Sequence, residues 1–276
     1  MNYIYDGTFD GFLTCVYEHY HSAKADGIFA RGVYQADMLT PPREVRTDEG
    51  KARTVEAAIV KKISPHALAR VYRVFRTDTD GKELMLLSYI RLCFKSGPAM
   101  AFLHSHPLVN PVEKAELKIG NEVHRLCGLI RFSAVCPAPA GGAGHGGEGH
   151  GGTVDSGAEA VAAQMREILY ARVEPDHEVL EFLAPHFTDR FKSEPFIIHD
   201  TRRGRALVAW HRRWHIEDFT ERDAALLENA PSERGYRDMW RRYFDAIAIK
   251  ERKNPRCQRN FMPARYWQNL TEMQPR

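Results

Sequence analysis

Cysteine is scarce in this chain: five residues, at positions 15, 93, 127, 136 and 257, among 276. The number is odd and no two stand in a C-x-x-C pair. Neither a disulfide framework nor a four-cysteine zinc site is expected, and reduced thiols in a cytoplasm are the plain reading. Long apolar runs are missing as well. None approaches the roughly 20 residues of a bilayer-spanning helix, which excludes an integral helical membrane protein. The opening residues, Met1-Asn2-Tyr3-Ile4-Tyr5-Asp6, lack a basic stretch followed by an apolar one, so no secretory signal is read. G-x-S-x-G, the P-loop and G-x-G-x-x-G do not occur, so none of these familiar nucleophile and phosphate motifs can carry the function. Excess charge is small, with 39 Lys and Arg against 36 Asp and Glu.

What is present can build a core. Apolar residues are 43% of the chain and aromatics 11%, which excludes global disorder. The charge is unevenly spread. Arg234 to Arg276 holds eleven Lys or Arg and four Asp or Glu, a balance of +7, and the remainder sums to −4. A mildly acidic body with a basic end points to a polyanionic partner met by that end.

Tyr3-Ile4-Tyr5 reads as a short strand. Phe9, Phe12, Leu13, Val16, Tyr17 and Tyr20 then form one helical face. Residues 22–46 are turn-rich, with a short strand expected near Gly32-Val33-Tyr34. From 47 to 127 the periodicity is helical, with Ser64-Pro65 as a cap followed by proline at the first helical position. Gly128 to Val135 looks like a strand and 168–173 another, the two forming a hairpin. Between them, 137–160 is a Gly/His-rich flexible insertion. Asp176 caps a helix that Pro185 is expected to break or kink. Residues 196–200 and 206–210 flank Arg202-Arg203-Gly204 as a second hairpin. The fold class expected is α+β: one domain over 1–276, an antiparallel sheet with packed helices, a helical block at 47–127 between the first strand and the rest, and a basic aromatic C-terminal segment at 250–276.

That segment carries the clearest functional signal. Arg252, Arg256, Arg259 and Arg265 offer planar forks for phosphate. Asn254 and Gln258 carry carboxamides of the kind that reads base edges, and Tyr266 and Trp267 can stack on bases or anchor the segment. Acidic and imidazole groups stand at three junctions: Asp6 and Asp10, Asp176 and His177, and His199. They are candidate catalytic residues should the junctions converge, although Asp6 and Asp176 also suit plain helix capping. His199 and Asp200 are neighbours on a strand and face opposite ways, so they do not act as a pair. His104 and His106 read as a loop at a helix end. No metal site and no cofactor is expected, the His145, Glu148 and His150 of the insertion lacking a rigid scaffold.

Several of these stretches together resemble a bacterial family of DNA metabolism or DNA repair proteins, a domain of unknown function. The resemblance runs through Tyr5-Asp6-Gly7-Thr8-Phe9-Asp10-Gly11, Glu174-Pro175-Asp176-His177, Pro185-His186-Phe187, Ile197-Ile198-His199-Asp200, Arg252-x-Asn254-Pro255 and Phe261-Met262-Pro263-x-Arg265-Tyr266-Trp267. It implies DNA as the substrate context and a radical-SAM DNA-repair protein as partner, since members are typically encoded beside one. It names no reaction. The resulting expectation is a DNA-binding protein that acts with that partner. An enzyme acting on a nucleic-acid base and a non-catalytic protein–protein scaffold are the alternatives.

Overall fold

The computed structural model describes residues 1–34, 42–137, 167–230, 232–249, 252 and 254–274. The chain packs as two units, Met1–Glu122 with Asp176–Glu178, and Val123–Pro175 with Val179–Arg276.

The first unit opens with β1 (Asn2–Tyr5), which turns at Gly7 into α1 (Phe9–His21). The Thr8 side chain accepts from the Gly11 amide at 3.0 Å and so starts the helix. A side chain at position 11 would overlap Asp6 Oδ1 at 2.3 Å, so glycine is what lets the strand end close on the helix. β2 (Gly27–Ala30) and β3 (Arg43–Glu44) pair with β1 on its two sides, both parallel. Residues 31–33 form a turn; the strand expected near 32–34 lies at β2, a few residues earlier. Three helices follow, α2 (Glu49–Lys62), α3 (Pro65–Phe75) and α4 (Lys82–Ser96). Ser64 accepts from the Ala67 amide at 3.0 Å ahead of Pro65. Phe12 stacks on Phe75 and Phe9 meets Phe75 edge-on. Tyr3, Tyr5, Leu13, Ile59, Leu86, Leu87 and Ile90 complete a core in which each is nearly fully buried. Each such aliphatic side chain contributes roughly 1.5–3 kcal/mol by leaving water.

α5 (Asn110–Leu129) continues two residues into the stretch expected as a strand, and β4 (Ser133–Pro137) starts only after it. Leu126 is buried within this amphipathic helix, and the apolar 129–135 run divides between its end and the strand.

In the second unit β4, β5 (Ile168–Val173), β6 (Phe196–Asp200), β7 (Arg205–Trp210), β8 (Arg213–Asp218) and β9 (Leu227–Asn229) form a sheet in the order β8-β7-β6-β5-β4-β9. The expected hairpins pair antiparallel, β4 with β5 and β6 with β7. The sheet as a whole is mixed, because β5 and β6 run parallel. The reason is the helix between them, α6 (Leu180–Arg190): a crossover returns the chain to the same end of the sheet. The expectation of a purely antiparallel sheet is corrected there, and again by β1, which belongs to the separate three-stranded parallel sheet. The α+β class stands. α6 runs unbroken through Pro185. The missing N–H falls opposite the Glu181 carbonyl in the first turn, where water can take its place.

α7 (Glu233–Ile247), α8 (Pro255–Phe261) and two 3₁₀ turns, Ala264–Asn269 and Thr271–Met273, close the chain. Among the described residues no helix is long and apolar enough to cross a membrane. The insertion expected at 137–160 lies, from 138 on, outside the described residues, as do Lys250, Glu251 and Lys253.

Candidate functional site

Strand register decides which side chains meet. Ser133 pairs with Tyr170, Arg172 with His199, and Val135 with Asn229. Paired residues share a sheet face, as do alternate residues of one strand. Ser133, Tyr170, Arg172, His199 and Asn229 therefore stand on one side. The other side carries Leu169, Ala171, Val173, Phe196 and Ile198, and Phe187 of α6 packs on Phe196. One face is largely apolar and covered by its helix; the other carries these polar groups together with Val135, Ile197 and Val208.

On that polar face lies a cleft of about 380 Å³. Tyr170, Arg172, Arg131 and Arg237 line it together with the carboxamides of Asn229 and Gln268. The guanidinium groups are fixed from behind. Arg131 makes a two-pronged contact with Glu272 at 2.8 and 3.3 Å and lies over the Trp240 ring, whose indole N–H also donates to Glu272 at 2.9 Å. Glu272 is buried. Burial alone would raise its pKa, but the Arg131 fork and the indole outweigh it and hold the carboxyl below its ordinary value. Arg237 donates to Glu233 at 2.6 Å and to the Ser133 hydroxyl at 2.9 Å. Arg172 differs: its partner at 2.7 Å is Glu221, and both side chains are about half exposed. Such a pair is worth little and exchanges readily for a better anion.

Beneath the cleft, Tyr170 and His199 are hydrogen-bonded through the hydroxyl and Nδ1 at 2.8 Å. Burial, with Glu221 adding to it, pushes the Tyr170 phenol up to about 12, against the pull of Arg172. Burial lowers the His199 pKa, against Glu221 and the Phe219 carbonyl, which favour the proton. The pair is thus a protonated phenol on a neutral imidazole at neutral pH. Asp200, on the opposite face, accepts from the Arg202 and Arg203 amides and the Arg203 guanidinium at 3.0–3.2 Å and shapes the turn into β7. Its pKa is raised by burial despite Arg203.

The acidic and imidazole candidates divide between the units. Asp6, Asp10, Asp176 and His177 belong to the first, His199 to the second. One Asp6 oxygen accepts from the Thr8 amide and hydroxyl and the other from the Thr47 hydroxyl. Burial opposes but does not outweigh these bonds, and its pKa is lowered. Asp10 is exposed in the first turn of α1. The amides of Asp176 and His177 donate to the two oxygens of buried Glu122 at 2.8 and 2.9 Å, and His177 Nδ1 accepts from the Asp78 amide. His104 bonds Glu113. Among the described residues no group of three or more His, Cys, Asp or Glu side chains could hold a metal ion.

In the C-terminal segment, Asn254 caps α8 by accepting from the Cys257 amide at 3.0 Å. Gln258 reaches the Met273 sulfur, Tyr266 is buried with Arg265 over its ring, and the Trp267 indole donates to the Met262 carbonyl at 2.9 Å. Arg252, Arg256 and Arg259 are exposed and make no ion pair among the described residues. Arg234 and Arg242 of α7 share that condition. Tyr170, Arg172 and Arg131 are the site residues that composition and periodicity passed over. The alternation of Tyr170 and Arg172 along one strand was the available signal.

A family model described as a domain of unknown function, DUF4130, matches residues 159–272. The matched stretch carries Tyr170, Arg172, His199 and both α7 and α8. No curated protein and no solved structure matches the chain.

Proposed function

We propose that the protein binds nucleic acid, DNA in the first instance, through the arginines of α7 and α8 and through Arg252, and presents it to a radical-SAM DNA-repair partner. The observation that carries the reading is five exposed guanidinium groups, those of Arg234, Arg242, Arg252, Arg256 and Arg259, without carboxylate partners among the described residues. A folded protein neutralises such groups internally where they serve the fold, and leaves them in water where they meet a polyanion or only keep the surface soluble. The family resemblance supports DNA over other polyanions and supplies the partner.

The experiment is DNA affinity across a salt series. Arg256→Ala combined with Arg259→Ala is expected to weaken binding and to reduce the slope of log affinity against log salt by about 2, one for each lost phosphate contact. An unchanged affinity and slope remove the reading. Co-purification with the neighbouring radical-SAM protein tests the partner separately. A second reading, an enzyme acting on a nucleic-acid base, draws on one observation: Tyr170, which lines an arginine-rich cleft, is hydrogen-bonded to the His199 imidazole.

A further inference from the structure

We infer that the cleft on the polar face of the six-stranded sheet receives a single nucleotide, its phosphate on Arg172 and its base against the carboxamides of Asn229 and Gln268. This rests on the nucleic-acid reading and goes beyond it by naming a pocket and its occupant.

Four observations meet at this place. The volume, about 380 Å³, lies at the lower end of small-molecule sites; it suits one nucleotide and cannot admit a duplex. The walls are charged and hydrogen-bonding, which disfavours an apolar ligand. The cations are graded: Arg131 and Arg237 are held by Glu272 and Glu233, whereas Arg172 has only exposed Glu221 to give up. An incoming phosphate displaces that partner and takes both prongs of the fork. The edge supplies groups that donate and accept, as a base edge requires, and Glu174 at the rim accepts from an exocyclic amino group.

His199 is a positioning residue in this scheme. It holds the Tyr170 hydroxyl at 2.8 Å and so fixes the orientation of a ring that lines the cleft. The nucleotide has two possible sources, a free mononucleotide or a nucleotide extruded from a strand, and the chemistry recognised is the same.

The test is equilibrium titration of the full chain with dCMP, with inorganic phosphate and with a short single-stranded oligonucleotide. The chains compared are wild type, Arg172→Ala, Arg172→Lys and the Arg256→Ala/Arg259→Ala pair. Arg172 is exposed, so its variants are expected to keep the wild-type melting temperature. Arg172→Ala is expected to weaken dCMP or oligonucleotide binding at least about tenfold, with Arg172→Lys recovering only part, because lysine keeps the charge and loses the fork. A loss seen with dCMP assigns a free nucleotide; a loss confined to the oligonucleotide assigns an extruded one. Inorganic phosphate binding as tightly as dCMP overturns the proposal, since the base then adds nothing. Unchanged affinity of Arg172→Ala for both nucleotide probes also overturns it. If the Arg256/Arg259 pair still weakens the oligonucleotide in that event, the wider DNA reading stands and the cleft alone falls; if neither matters, both fall.

Discussion

The two units differ in how many of their arginines are paired. In the first, Arg31, Arg43, Arg53, Arg70, Arg73 and Arg76 make ion pairs within the unit, and Arg46 and Arg91 stand exposed without one among the described residues. Arg70 is buried, donating to Glu116 at 2.8 Å and to the Ala101 carbonyl at 2.8 Å, with Glu113 at 3.3 Å. Glu18 receives Arg43 and Lys51, and Arg76 donates to Glu178 at 2.6 Å. In the cleft beside β1 and β2, too, the cations Arg76 and Lys82 are engaged by the protein's own groups. There the Tyr5 hydroxyl donates to Glu83 at 3.0 Å and the Lys82 ammonium to the Thr77 carbonyl at 2.8 Å, and burial lowers the Lys82 pKa against the opposing pull of Glu83, Glu178 and Asp78. In the second unit, tied arginines line one cleft while others stand in water, Arg234, Arg242, Arg252, Arg256 and Arg259 towards the C-terminus and Arg125, Arg213 and Arg222 elsewhere. Charge that is satisfied at home holds a fold together, and charge left unpaired is available to a ligand. The same residue type thus serves structure in one unit and, on the reading above, recognition in the other.

The largest expected effect breaks the comparison on the stability side. Leu87 is fully buried in the first unit. Leu87→Ala is expected to cost about 2–5 kcal/mol, the transfer of the lost methyl groups plus the cavity they leave. All four tryptophans, at 210, 214, 240 and 267, lie in the second unit, while α1 to α4 lie in the first. Urea unfolding of Leu87→Ala is therefore expected to shift the circular-dichroism transition more than the tryptophan-fluorescence transition. DNA affinity of the folded protein is expected to stay at its wild-type value. Coincident shifts by both probes would mean that the units melt as one body, and the contrast drawn from their charges would lose its energetic side.

How far the sequence reveals this division depends on the range of the interactions. The α1 face, the Ser64-Pro65 start and the β6–β7 hairpin are local signals, each set within a few residues by periodicity, capping or turn chemistry, and they are legible, while the β4–β5 pairing is read from the two apolar runs that flank the insertion. The parallel pairing of β5 with β6 is not, because a crossover helix conceals which strand end returns where. The same obstacle hides Tyr170 as the partner of His199, since that contact exists only in the parallel register. The basic C-terminal charge is legible, but its division of labour is not. Arg256 and Asn254 look equally suited to nucleic acid in one dimension, and only the start of α8 shows that the Asn254 carboxamide oxygen is already committed to an amide.

A smaller effect sharpens the second unit's side. His199 is neutral when folded, its pKa lowered by burial, and titrates normally near 6.5 when unfolded. Above that pH neither state holds the extra proton and the group is silent. As pH falls from 6.5 toward the lower folded value, the unfolded chain binds a proton that the folded one refuses, so stability is lost. For one group the slope is at most about 1.4 kcal/mol per pH unit. Urea midpoints read by tryptophan fluorescence at pH 7.5 and at pH 5.5 measure it. His199→Gln is expected to flatten the dependence, and a slope that survives the substitution assigns it to other groups.

The smallest effect is an expected absence of change, and it separates capping from recognition within α8. Asn254 sits two residues from Arg256 and Arg252, in the midst of the exposed arginines, yet its side chain accepts from the Cys257 amide. Serine makes the same N-terminal contact. If Asn254 serves only the helix, Asn254→Ser leaves DNA affinity unaltered, while Asn254→Ala frays α8 at a cost of about 1 kcal/mol and weakens DNA binding only through the displaced arginines. If the carboxamide also touches a base, serine loses that contact while keeping the cap, and affinity for the preferred sequence drops while affinity for others holds. Comparing the two variants on two sequences, at one salt concentration, distinguishes a residue that aims arginines from one that reads bases.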